Sequence, residues 1–101
     1  EDFDIPLPPT PSQPAPRLGE LSPTEDEPLR GSKRSVPYSV YTSPFNTSGQ
    51  PAISLPAGFS DGLPVATQLV GAYGREDVLL AVAGQLERCL DWSATRAPLH
   101  A

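Results

Sequence analysis

From Leu79 to Leu90, apolar residues recur at spacings of three and four: Leu79, Val82, Ala83, Leu86 and Leu90. That period predicts an amphipathic helix with one buried stripe, Glu87 and Arg88 facing water. Glu76 and Asp77 stand where a helix start favours negative charge, and Asp77 can cap the amides that follow. The pattern fades near Trp92, and Thr95 to Ala101 reads as a frayed tail. Upstream the period changes to two. Leu63, Val65, Thr67 and Leu69 fall on one face of a strand, and Ala66, Gln68 and Val70 on the other, ending at Gly71. Before it, Ile53-Ser54-Leu55 fits a brief buried strand closed by Pro51 and Pro56. Ser60-Asp61-Gly62 supplies turn chemistry between the two, with Gly62 free to take positive φ. The strands are therefore expected to be antiparallel neighbours.

Residues 1 to 30 carry no such period. Eight of the 14 prolines precede Leu29, which bars a helix or a central strand and favours extended, polyproline II-like backbone. Phe3, Ile5 and Leu7 alternate with polar or proline residues, as a short edge strand running into a loop would. Gly31 to Ser35 reads as a loop with a small basic cluster. Val36 to Tyr41 has spaced apolar residues with weak periodicity, ended by Pro44. The chain thus divides into an acidic, Pro-rich segment and loop, 1–35, and a segment, 36–101, of a size at which a domain is marginal without disulfide or metal staples.

Charge and composition narrow the classes. Seven of the 12 acidic residues lie in the first 30 positions, and the net charge is −5. A clustered basic surface is missing, so no nucleic-acid partner is expected. No apolar run approaches the roughly 18 residues of a membrane span, so no membrane partner is expected either. One cysteine, Cys89, cannot form an internal disulfide, which fits a reducing, cytoplasmic setting.

Candidate chemistry is sparse. A Ser-His-Asp arrangement needs an imidazole beside the serine, and the sole histidine is His100, one residue from the end. Cys89, toward the end of the helical stripe, reads as a small buried or half-buried thiol. Neither a metal nor a cofactor is expected: no His, Cys or carboxylate set has ligand spacing. Lys33, the only lysine, stands between Ser32 and Arg34, a solvated setting in which it cannot become a general base. Gly71-Ala72-Tyr73-Gly74 has neither phosphate-loop spacing and reads as a strand-to-helix turn. Pro8, Pro11 and Pro14, followed by Arg17, suit polyproline II recognition by an SH3-like partner, which is one alternative function. The segment from Thr42 to Gly58, TSPFNTSGQPAISLPAG, is a polar, turn-rich loop feeding a strand.

That last segment resembles the C-terminal region of the amidase signature family. Pro44, Phe45, Asn46, Gly49, Pro51, Ala52, Ser54 and Pro56 fall in register with the family's Thr-Ala-Pro-Phe-Asn-x-Thr-Gly-x-Pro-Ala-x-Ser-x-Pro block, with Ser48 where Thr is usual. Gly62 to Gly71 is similar to the family's Gly-Leu-Pro-x-Gly-x-Gln-x-x-Gly strand, with Ala66 in place of a Gly, a change that narrows backbone approach. Glu76, Asp77, Leu79 and Leu80 resemble the start of its closing helix, and Phe3-Asp4 with Pro9-Thr10-Pro11 the stretch before this region. The resemblance implies an α/β fold, of which this chain would be the C-terminal part of a mixed sheet: an extended leader, two adjacent strands and one amphipathic helix. It implies hydrolysis of carboxylic amides by a Ser–Ser–Lys triad. The Gly/Ser-rich stretch that bears the serines does not occur here, and Lys33 has the wrong surroundings, so the chain is expected to be an inactive C-terminal fragment. By the same resemblance, Thr42, Phe45 and Asn46 are the candidates for lining the pocket of a small amide substrate, although turn formation and packing would explain them too. A non-catalytic subunit completing a separate catalytic chain is the other alternative.

Overall fold

The computed structural model describes residues 4–98, so Phe3 and His100 lie outside the described residues. Its elements run, in chain order, α1 (Arg30–Ser35), a 3₁₀ turn (Val36–Ser39), α2 (Ser43–Ser48), β1 (Ala52–Ser60), β2 (Leu63–Val70), α3 (Glu76–Leu90) and a second 3₁₀ turn (Trp92–Ala94).

The two strands form an antiparallel hairpin, with Ile53 opposite Leu69 and Ser60 opposite Leu63. Asp61 and Gly62 close it with φ of 51° and 77°. Two successive positive φ values match the right-handed twist of the flanking strands, and Gly accepts its value without strain. β1 runs four residues past Pro56, where a short strand closed by that proline was expected. The register slips by one residue between Pro56 and Gly58, and a bulge on an outer strand is where a residue without an N–H fits.

The leader does not stand free. The Gln68 amide donates to the Pro8 carbonyl (2.9 Å), the Val70 amide to Pro6 (3.4 Å), and the Thr10 amide to Ala66 (3.1 Å). Pro6 and Pro8 can only accept, so β2 supplies those donors and the ladder reduces to a single Pro9–Thr67 bridge. The leader nonetheless covers the open side of β2, although Ile5 and Leu7, where a short edge strand was expected, form none, because the prolines beside them cannot donate to a ladder. β2 is therefore flanked on both sides, and its last three residues are fully buried. Ala66, where the family pattern has Gly, still lets Thr10 reach its carbonyl.

Directly paired antiparallel residues share a face, so Ile53, Leu55, Thr67 and Leu69 point one way. α3 packs there, and Leu55, Leu69, Leu79 and Ala83 form the core, flanked by Ile53, Val82, Leu86, Ile5 and Trp92. Full burial of a leucine stabilises by about 1.5–3 kcal/mol. Gly71 lets the helix close: a Cβ there would lie 3.2 Å from Leu79 Cγ. Leu90, expected in the buried stripe, is instead 59% exposed. Past the bulge β1 has no buried residue, and Leu90 faces an apolar cleft of about 320 Å³ with Phe59 and Trp92. Cys89, expected to be buried or half-buried, is exposed as well. At 100° per residue it sits about 80° from Leu79, on the stripe's margin and in the last turn.

Two predicted loops are short helices. Residues 31–35 belong to α1, entered by the Arg30 amide donating to Glu27 (3.1 Å) and ended by Lys33 and Arg34 in its last turn, where cations suit the helix dipole. Thr42 to Ser48 turns into α2 rather than staying irregular. The radius of gyration, 16.2 Å, exceeds the roughly 13 Å of a compact 100-residue domain, in keeping with so small a core.

Candidate functional site

α2 is built by local chemistry. Pro44 lies in its first turn, where a missing N–H costs no hydrogen bond. The Thr42 carbonyl accepts from the Phe45 and Asn46 amides, both at 3.2 Å, and the Thr42 hydroxyl donates to the Ser39 carbonyl at 3.2 Å. Gly49, with φ 76°, ends the helix and donates to Phe45. A β-carbon would be strained in that left-handed conformation.

The far end of α2 is tied to the strand-to-helix turn. The Tyr73 hydroxyl donates to the Ser48 carbonyl, and Gln50 Nε2 donates to the Gly71 carbonyl at 3.3 Å. These bonds set α2 over the hairpin face opposite α3, where Ala52, Ser54, Ala66, Gln68 and Val70 point.

Between α2 and that face lies an open cleft of about 400 Å³, lined by Thr42, Phe45, Asn46, Gln50, Ala52, Ile53, Ser54, Gln68 and, from the leader, Thr10. The structure thus brings together all three residues that the sequence singles out, Thr42, Phe45 and Asn46. Thr10 and Ser54 meet across the cleft, their hydroxyl oxygens 2.8 Å apart. Gln68, only 3% exposed, donates from Nε2 to the carbonyls of Tyr41 (2.6 Å) and Pro9 (3.4 Å).

No lining residue is ionisable, so the cleft offers hydroxyls, carboxamides and one aromatic ring. That set suits a neutral, polar ligand held by hydrogen bonds and ring contact. It holds no nucleophile paired with a base. Lys33 lies on exposed α1, and among the described residues no three His, Cys, Asp or Glu side chains could hold a metal. Shifted pKa values belong to an exposed pair at the start of α3. A hydrogen bond from Arg75 holds the Asp77 carboxyl below its usual value, and Asp77 raises the guanidinium in return. Asp77 is engaged with Arg75 (2.9 and 3.1 Å) and also draws on the backbone of Val78, while the N-cap position itself falls on Arg75.

Thr10, Ser54 and Gln68 were missed as cleft residues. Ser54 and Gln68 stand in the two motif blocks, but only the register, which pairs them directly, shows that they share the cleft. Thr10 stands in the Pro9-Thr10-Pro11 stretch of the resemblance, but its place in the cleft depends on the leader docking beside β2.

Known proteins supply the context for this geometry. The sequence profile of the family described as Amidase matches residues 1–80. A 6-aminohexanoate-cyclic-dimer hydrolase of Paenarthrobacter ureafaciens is 47% identical over 103 residues, covering 96% of this chain and 21% of that protein. A glutamyl-tRNA(Gln) amidotransferase subunit of Clostridium botulinum is 40% identical over 92 residues, covering 91% and 18%. Among solved structures, that of 6-aminohexanoate cyclic dimer hydrolase superposes with a TM-score of 0.80 at 44% identity, over 95% of this chain and 21% of the other. The chain spans about a fifth of the length of the curated relatives it matches, and corresponds to a C-terminal segment of them.

Proposed function

The chain belongs to the amidase family, and from that membership we propose that it forms the C-terminal part of an amidohydrolase cleaving carboxylic amide C–N bonds, with Thr42, Phe45 and Asn46 lining the substrate cleft. The observation that carries this reading is the cleft itself: the motif residues converge on one concavity whose lining is neutral and rich in amide-complementary donors and acceptors. Small uncharged amides fit such a lining, and one relative is named for the cyclic dimer of 6-aminohexanoate. The Ser–Ser–Lys triad expected of the family would be supplied by sequence outside these 101 residues, on the same chain or on a catalytic partner. Residues 36–101 then form a segment of that catalytic domain, and 1–35 its Pro-rich approach. A cytoplasmic setting completes the proposal, supported by a single unpaired thiol. Among the described residues no helix is long and apolar enough to cross a membrane.

The polyproline alternative has less support. The Pro8 carbonyl accepts from both the Gln68 amide and the Thr67 hydroxyl (3.1 Å), so the first proline of the spaced set is already engaged within the molecule.

Phe45→Ala and Asn46→Ala, made in the complete enzyme, test the cleft. Each should lower kcat/KM by roughly 10- to 100-fold, the range of one or two lost ligand contacts. Unchanged kcat/KM at unchanged Tm removes both from the pocket. The 101-residue chain alone should hydrolyse no amide, and turnover that persists after contaminating enzymes are removed would overturn the fragment reading.

A further inference from the structure

Gln68 is the one buried polar side chain among the described residues, and its position asks for an explanation beyond packing. A carboxamide withdrawn from water costs stability unless its hydrogen bonds are replaced. Here Nε2 spends both protons on backbone carbonyls from two distant stretches, Tyr41 and Pro9. Tyr41 immediately precedes Thr42, whose carbonyl receives the Phe45 and Asn46 amides of α2. α2 has no buried residue and no side-chain bond at its N-cap. Its far end is held by Tyr73 and Gln50, but at its near end the bonds that Thr42 donates run to Ser39, three residues back. Gln68 is therefore the described side chain that ties the start of α2 to the sheet.

We propose that Gln68 is a positioning residue for the cleft: by holding the Tyr41 and Pro9 carbonyls it fixes where α2 begins, and so places Thr42, Phe45 and Asn46 against Ser54 and Thr10. This rests on the substrate-cleft reading above. Gln68 itself need not touch the substrate. Its effect passes through the backbone of residues 41–46, a displacement of which misplaces binding groups without altering the chemical groups that react.

The test uses the complete enzyme with Gln68→Glu, which donates to neither carbonyl as a carboxylate and to only one as a neutral acid. Gln68→Met, of similar length and without donors, takes its place if the glutamate variant fails to fold. Hydrogen exchange is followed in peptides covering 42–49 and 52–60, beside Tm and steady-state kinetics on a small neutral amide. The expected result is faster exchange in 42–49 with 52–60 little changed, a lower Tm from the two carbonyls that lose their donor, and KM raised about tenfold with kcat within a factor of two. A purely structural role would lower Tm and the active fraction while leaving KM alone. Unchanged exchange in 42–49 overturns the inference whatever the kinetics show. Faster exchange with unchanged KM also overturns it, and takes the pocket role of α2 with it. Absence of amide hydrolysis in the wild-type enzyme would defeat the proposed function instead, while the exchange data would still decide whether Gln68 sets α2.

Discussion

Leu69→Ala tests the account of how this segment is held together. Leu69 is 1% exposed and packs with Leu55, Leu79 and Ala83 where α3 crosses the hairpin. The substitution removes three carbon atoms, worth about 2.4 kcal/mol at roughly 0.8 kcal/mol for each buried carbon. It also leaves a cavity, which raises Leu→Ala costs into a range of about 2–5 kcal/mol. One helix on two strands can settle into the gap, so a value near 3 kcal/mol is expected, in the lower half of that range. Hydrogen exchange in peptides covering 52–60 and 76–90 of the complete enzyme reports local opening without assuming two-state unfolding. At about 1.36 kcal/mol per decade, exchange there should accelerate roughly 150-fold. Leu80→Ala is the control, since Leu80 is 65% exposed, about 100° around the helix from Leu79, and should cost no more than about 0.5 kcal/mol. Equal acceleration in both variants, or less than tenfold in Leu69→Ala, would refute the placement of the core.

Three further outcomes follow from particular residues. Gly62→Ala puts a β-carbon at φ 77° and should destabilise the hairpin by about 1–2 kcal/mol, read as faster exchange at 52–60; no change would mean that the turn is not the one described. Cys89 is exposed, so in the 101-residue chain a thiol reagent should modify it fully without denaturant, and a requirement for denaturant would contradict that exposure. The Asp77 carboxyl is held below its ordinary value of 3.8 by the Arg75 hydrogen bond. Its contribution is therefore present above that value and lost as pH falls through the lower folded value. Asp77→Asn should remove that part of the acid sensitivity of α3 below about pH 4, seen by circular dichroism, and identical acid profiles would dismiss the pair as a stabilising contact.

The elements that depend on neighbours in sequence are legible in the chain itself. The stripe of α3, the alternation of β2 and the Asp61-Gly62 turn each follow from a period or a dihedral preference, and each is present where expected except that the stripe stops short of Leu90. Pro56 misleads because a proline ordinarily ends a strand, whereas on an outer strand its missing N–H is tolerated beside a bulge. Residues 31–35 and 42–48 mislead because turn-forming side chains such as Ser, Asn and Thr also start and end helices of six residues.

Period and dihedral preference thus reach the hairpin and the long helix, and the family resemblance adds Thr42, Phe45 and Asn46 as the residues to follow. Tertiary structure alone decided which side of the hairpin becomes core and which becomes cleft. It also docked a proline-rich leader beside β2 and gave Gln68 two carbonyls separated from it by 27 and 59 positions. Periodicity reports only which residues share a face. It cannot report what that face meets, because the partners of Gln68, Thr10 and Leu69 lie far away along the chain and are joined by burial and hydrogen bonding, which act through space.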